Sequence, residues 1–346
     1  MKRTLFLLPL ILLISTLALG LDLASLYYAW AESFEGDIDP NVGLTSYPSL
    51  LIPVGGRYEG IGTAATAVSG EAAFIEANPA SSAAMMGAEL AFHHRKWIGA
   101  SVIEEIVFAE AIGPFGLGVL AKVLYSPFTA YDGFGERDAV GYFAEGVGLL
   151  NASLDIVSSP IFALSIGANA KIAFRYLTDD IALRQSSFAI PTDLGILMSG
   201  KLFDLSIDER RNAAIGVALK NFGLPGENEA PLPTTIAIGL SYSPFPALTF
   251  SSDVNVPISL NGNNDPPERI SYSAGAQVRI TPFFSVHTGA IIKPGNPSVA
   301  IGASIRFEKL EFVINYTVDL MRGLNPFDTI SLASKISLPN DGYEAE

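Results

Sequence analysis

The sequence contains no cysteine and only three histidines among 346 residues. That excludes a disulfide scaffold and removes the attachment point of a lipoprotein anchor. Charge is scarce as well: charged residues make up 16%, against ~25% in an ordinary soluble domain. Past the N-terminus no apolar run reaches the ~18 residues of a spanning helix, so a polytopic helical membrane protein is excluded. What is present is apolar character, with 49% hydrophobic residues and a mean hydropathy of +0.36, which excludes a disordered chain. The net charge of −14 repels phosphates and argues against nucleic acid as a partner. Two classes remain: a very apolar soluble domain, or a transmembrane β-barrel with its hydrophobicity spread over alternate positions.

Lys2 and Arg3 precede the apolar run Leu5 to Leu13, and small residues follow. This is the order of a secretory signal peptide, expected over 1–20, with a second cleavage option as late as Ala31. Removing residues 1–20 takes away Lys2 and Arg3 and no acid, so the net charge moves from −14 to −16. A cysteine-free chain of this length suits export without reliance on disulfides.

Residues 32–86 lack strand alternation and are rich in glycine, alanine and proline. The composition of Ala64 to Ala77 predicts a short helix that ends at Asn78-Pro79, because a residue before proline avoids the α region. Alternation begins near Glu89. After Pro160 one row reads Phe162, Leu164, Ile166, Ala168, Ala170, Ile172, Phe174 and Tyr176. The other row, Ala163 to Arg175, is small or polar. Side chains alternate across a strand, so one face is apolar and the other is not. About fourteen such segments follow each other, near 88–95, 101–112, 115–126, 138–157, 160–177, 186–203, 211–222, 232–243, 246–258, 269–281, 283–292, 297–307, 309–320 and 327–338, and an even number is what a bacterial outer-membrane barrel requires.

The connections alternate in length. Tight ones centre on Gly113-Pro114, Ser158-Ser159, Ser243-Pro244, Thr281-Pro282 and Glu308-Lys309. Roomier ones cover 127–137, 177–185, 223–231, 259–268 and 323–326; Asp204 to Arg210 breaks the order by being long. Barrels keep short periplasmic turns and longer external loops. Aromatic pairs such as Phe115 with Tyr125 and Phe162 with Tyr176 fall near strand ends, where membrane-interface girdles lie. The fold expected is therefore all-β, an antiparallel transmembrane barrel at 87–338, with a non-alternating N-terminal segment at 32–86 and a periplasmic tail at 339–346.

Catalytic signals are weak. His93 and His94 are adjacent and face opposite ways on a strand, so they cannot chelate one metal together. No nucleophile elbow, metalloprotease motif or P-loop occurs. Gly116 to Ala121 spells a loose dinucleotide fingerprint inside an alternating strand, the wrong context for one. The reading is a non-enzyme without cofactor or metal; Asp179-Asp180 and Asn261 to Asp265 read as acidic solvated loops. Lys122, Lys171, Arg175, Arg279 and Arg306 fall on the row opposite the apolar one. On the lipid side a cation near the midplane costs ~2–4 kcal/mol. In the lumen these five either meet a ligand carboxylate or pair internally with Glu105, Glu110 or the N-terminal segment.

Gly55-Gly56-Arg57-Tyr58-Glu59-Gly60-Ile61-Gly62-Thr63-Ala64, followed by Glu76-Ala77-Asn78-Pro79-Ala80, resembles the N-terminal signature of the FadL-type (OMPP1/FadL/TodX) proteins. Further pieces, such as Ala91-Phe92-His93-His94 and Gly216-Val217-Ala218-Leu219-Lys220-Asn221, resemble an uncharacterised spirochaetal branch of that group. The likeness covers roughly 38–338. It implies a fourteen-stranded barrel plugged by an N-terminal hatch, the segment 32–86, with Asn78, Pro79, Ala80, Gly55 and Gly56 as hatch-motif residues. It also implies passive passage of long-chain fatty acids or other hydrophobic small molecules through the outer membrane, among its lipids. The family's side opening comes from a kinked early strand, yet the matching segment 115–126 has no internal proline. Relatives of the PorV type imply an alternative, a shuttle or anchor for secreted proteins; a surface antigen or adhesin is a third.

Overall fold

The structure, a computed structural model, describes residues 45–178, 186–202, 210–223, 231–258, 269–293, 297–320 and 328–339. The expected signal peptide, the tail beyond 339, Asp179-Asp180, Asn261 to Asp265 and most of the 204–210 turn lie outside them.

Fifteen strand stretches form one antiparallel sheet: β1 Gly87–Lys96, β2 Val102–Ile112, β3 Phe115–Tyr131, β4 Arg137–Ser158, β5 Phe162–Leu177, β6 Ser187–Ala189, β7 Thr192–Gly200, β8 Ala213–Phe222, β9 Thr235–Phe245, β10 Leu248–Pro257, β11 Ser271–Thr281, β12 Phe284–Ile292, β13 Ser298–Phe307, β14 Leu310–Asp319 and β15 Thr329–Pro339. Successive strands pair, except that β6 and β7 each pair with β5 and not with each other; β1 pairs with β15, and β4 with β5, so the sheet closes on itself. β6 and β7 both pair with β5 and are two halves of one stave, interrupted at Ile190-Pro191. Proline has no N–H for a ladder; the Lys171 amide bridges the break by donating to the Pro191 carbonyl at 2.9 Å. The barrel thus has fourteen staves, as the alternation predicts, but the segment read as one strand over 186–203 is broken.

Other differences lie at the turns. β9 runs through Ser243-Pro244, and the turn sits at Pro246-Ala247. The segment 127–137 is mostly strand, because β3 and β4 reach 17 and 22 residues and leave only 132–136 as the tip. There Asp132 Oδ1 accepts from the amides of Phe134 and Glu136 at 2.9 and 2.8 Å. This Asx turn needs no longer loop.

Burial follows strand parity. Phe162, Ile166, Ile172, Phe174 and Tyr176 point outward, whereas Ser165, Asn169 and Lys171 are buried in the lumen. Leu150, Ile172, Leu194, Ile301 and Ile314 are each more than half exposed on the outer wall. An apolar band of this extent belongs against lipid rather than water. Tyr142, between Tyr125 and Tyr176 on the outer wall, stacks with both at centroid distances of 5.6 and 5.3 Å, extending laterally the aromatic pairing expected at strand ends.

Residues 45–86 fill the lumen. They form 3-10 turns at Pro48–Leu50, Ala72–Ile75 and Pro79–Ala84, and one α turn at Gly56–Gly60. The helix expected over Ala64 to Ala77 does not form beyond Ala72–Ile75. Its backbone groups are instead taken by the wall: Asp253 accepts from the amides of Ala65 and Thr66 at 2.9 Å, Glu89 accepts from the Ala72 amide at 2.9 Å, and Asn169 donates to the Ile75 carbonyl at 2.9 Å. Buried backbone polar groups must be paired, and here wall side chains replace intrahelical partners.

Candidate functional site

The hatch motif sits where plug meets wall. Asn78 is fully buried in extended conformation ahead of Pro79. Its Oδ1 accepts from the Ala80 amide at 3.0 Å, while Nδ2 donates to the carbonyls of Thr66 at 2.7 Å and Ile196 at 3.0 Å. The Pro79 carbonyl accepts from Asn151 Nδ2 at 2.9 Å, and Asn151 in turn donates to Asn169 at 2.8 Å. Gly55 holds φ +131, and a side chain there would crowd Ala73 and the His93 ring. Gly56 opens the α turn, and its carbonyl accepts from Asn315 Nδ2 at 2.8 Å.

Lumen-facing glycines of the wall make this approach possible. Gly167 and Gly195 are paired across β5 and β7, and any Cβ on either would run into Pro79 or Asn78. Gly216 and Gly239, paired across β8 and β9, meet Thr66 and Ala67 in the same way. Gly275 and Gly289, paired across β11 and β12, meet Ile61. A belt of bare backbone thus receives the plug. Sequence reading missed it, although glycine on the inner row of successive strands was the available signal.

Ion pairs lock the same contact. Arg57 meets Glu71 at 2.7 Å, and Lys335 meets Glu71 at 3.0 Å and Glu311 at 3.5 Å. Burial would push the Glu71 carboxyl up; the cations of Arg57 and Lys335 overcome it and hold it down at about 2. Burial, reinforced by the charges of Glu76 and Asp253, pushes the Tyr58 phenol well up, so it stays protonated. His93 faces inward to Glu105 at 3.1 Å, and His94 faces outward to Glu104 at 2.7 Å, which is the opposed placement expected. His287 contacts Asn315 at 2.6 Å and fills the space that a side chain on Gly60 would need.

The five expected lumen cations do not converge. Lys122 pairs with Glu76 of the plug and donates to the Ile52 carbonyl at 3.0 Å. Lys171 meets Asp193 at 2.7 Å, and Arg175 meets Glu145 at 2.9 Å. Arg306 meets Glu311 at 2.6 Å near the tight-turn end, where Arg279 is exposed. In the pairs of Lys122, Lys171 and Arg175 the opposite charges neutralise each other in the low-dielectric interior, whereas Arg306 is more than half exposed.

A cavity of about 380 Å³ lies between the plug and the wide-loop end of the barrel. Leu50, Ile52, Pro53, Trp97 and Ile98 give it apolar surface, and charges of both signs line it, Lys220, Arg269 and Lys293 with Glu59, Glu76 and Asp319. Its volume lies within the ~300–1,000 Å³ of small-molecule sites. No helix among the described residues is long and apolar enough to cross a membrane.

Comparison places this geometry among known proteins. The chain spans 84% of its length in similarity to CymD, a monoaromatic hydrocarbon channel (TM-score 0.57, 14% identity, 99% of that chain). It is similar over 81% to the Pseudomonas putida toluene transporter TodX (0.52, 10%, 96% of that chain). A Pseudomonas aeruginosa FadL homologue is similar over 83% (0.53, 9%, 99% of that chain). At such identities the likeness is one of fold, a FadL/TodX-like plugged barrel. In sequence, a UPF0164 protein of Treponema pallidum (strain Nichols) is 27% identical over 337 residues, 93% of this chain and 76% of its own length. A second from the same organism is 32% identical over 174 residues, 50% of this chain and 42% of its own length. The model of the uncharacterised protein family UPF0164 matches residues 28–341, and the chain belongs to that family.

Proposed function

We propose that the protein resides in the outer membrane and passes long-chain fatty acids or other hydrophobic small molecules inward by passive diffusion. The observation that carries this reading is the cavity above the plug, walled in part by plug residues such as Leu50, Ile52 and Pro53 and open toward the wide-loop end. An apolar solute cannot cross a hydrated outer layer unaided, and a plugged barrel offers it an apolar surface without opening an ion leak. The fold neighbours CymD and TodX, described as a monoaromatic hydrocarbon channel and a toluene transporter, support the same class of solute. The plug is held at many points, so passage proceeds by local rearrangement around it rather than by its release.

Binding of radiolabelled fatty acids of several chain lengths to the refolded barrel tests the reading. Saturable binding is expected; its absence at every length overturns it.

One observation favours a second reading, docking of secreted proteins. The β3–β4 hairpin overreaches its neighbours and exposes Tyr131 and Phe134 near its tip. Co-purification of a secreted protein, lost on Phe134→Ala, together with no lipid binding, would favour it.

A further inference from the structure

The plug runs through the lumen from one end to the other. Its first described residues are held at the wide-loop end. The Ser46 amide donates to the Pro231 carbonyl at 3.1 Å, the Tyr47 hydroxyl meets Ser187 Oγ at 2.9 Å, and Glu145 accepts from the Ser49 amide at 3.0 Å. The Arg175 guanidinium lies over the Tyr47 ring, 5.2 Å from its centroid. The last plug residues lead into β1 at Gly87, which pairs with Pro339 at the tight-turn end. The lumen between is filled, so the chain ahead of Thr45 stays on the wide-loop side of the plug.

That side holds the cavity. Pro48 and Leu50 line it, as does Thr235, on the strand that follows Pro231. Part of its charge cancels: Arg95 meets Glu59 at 3.5 Å, Lys171 meets Asp193 at 2.7 Å, and Glu76 meets Lys122. The other charged residues of the lining are Lys220, Arg269 and Lys293 against Asp319, a positive excess. The sequence just ahead of Thr45 carries the opposite sign. Residues 32–44 hold Glu32, Glu35, Asp37 and Asp39 and no base, with Phe34 and Ile38 among them. Both cleavage positions expected for the signal peptide leave this stretch on the chain. Asp39-Pro40-Asn41 is a turn signal. A stretch of this length spans at most ~45 Å, enough to turn back over the rim and reach the lining.

We propose that residues 32–44 turn back into this cavity as its resident occupant, with their carboxylates against Lys220, Arg269 and Lys293, and Phe34 and Ile38 against Leu50, Ile52 and Trp97. The segment is then a competitor built into the chain, and a solute enters only where it lifts off. The competition rests on the cavity being the ligand site of the proposed function; the seating does not.

Because the chain has no cysteine, a single introduced thiol reads the seating. Ile38→Cys is compared with Gly133→Cys, at the open tip of the β3–β4 hairpin, for its rate of maleimide labelling on the processed chain extracted in non-ionic detergent. A segment seated in about nine chains of ten makes Ile38→Cys about tenfold slower to label. The rate should rise toward that of Gly133→Cys when Lys220→Gln and Arg269→Gln are added, and when salt at about 1 M screens the contact. Equal rates in the parent chain, or protection that survives both the substitutions and the salt, overturn the seating. Should the double substitution fail to fold, the salt arm decides. Tritiated palmitate then reads the competition. Glu35→Gln/Asp37→Asn/Asp39→Asn should bind it about tenfold more tightly than the parent chain, and an unchanged affinity overturns the competition. No saturable binding to either chain overturns the proposed function, while the labelling rates still decide the seating.

Discussion

The side-chain amide of Asn78, in the plug, donates to the backbone carbonyl of Ile196, in the wall, at 3.0 Å. The same nitrogen also holds Thr66, so one buried side chain joins two plug segments to β7. Asn78→Ala leaves these carbonyls and the Ala80 amide short of a partner. We expect a loss of about 1–3 kcal/mol, the cost of orphaning a buried polar group. Urea unfolding of the refolded barrel reads it, and an unchanged midpoint would remove Asn78 from the plug–wall seam.

Space matters as much as bonding at this seam. Gly195→Ala places a methyl group against Asn78 and Pro79, and overpacking of this kind costs about 1–3 kcal/mol. Gly148, on the outer side of β4, has open space around its Cβ position. Gly148→Ala should therefore stay within about 0.5 kcal/mol of wild type. Equal effects from both substitutions would mean that the plug backbone does not rest on Gly195.

Glu71 sets an acid limit on stability. Its folded pKa of about 2 lies below the ordinary glutamate value, so its contribution is fully present above about pH 4.3 and is lost as pH falls through 2. A depression of this size is on the order of 3 kcal/mol. Glu71→Gln should lower stability at neutral pH by that order and flatten the profile across this acid window. A variant that keeps the wild-type acid transition would place the proton uptake elsewhere.

The absence of cysteine makes plug seating directly measurable. A Cβ on Gly56 lies 3.4 Å from the Ala333 Cβ, close to the ~3.5–4.5 Å of a disulfide. The Gly56→Cys/Ala333→Cys pair should oxidise to one intramolecular bridge in the refolded chain, seen as a mobility shift reversed by reductant. Failure to bridge would put the Gly55-Gly56 region away from β15.

Much of this barrel is legible in its sequence, for a physical reason. Lipid outside and plug inside force side chains of opposite character onto alternate positions, so the row Phe162 to Tyr176 declares its strand. The tight turns at Gly113-Pro114 and Thr281-Pro282 declare themselves through their backbone requirements. Three features were hidden. The plug conformation is one: alanine-rich 64–77 has helix propensity, while its amides are claimed by wall side chains, Asp253 far along the chain and Glu89 on β1. Glycines 167, 195, 216 and 239 contribute no side chain to a hydropathy pattern, yet their bareness seats the plug. The bulge that sets Lys220 and Asn221 opposite Asp193 turns Asn221 inward out of alternation, and it leaves no compositional mark.

Equilibrium binding of tritiated palmitate to the refolded full chain, with the Gly56→Cys/Ala333→Cys bridge first open and then closed, tests most directly whether a hydrophobic ligand is taken up above a seated plug. Saturable binding that is the same in both states is the expected result. No saturable binding, or binding that disappears when the bridge closes, would contradict it.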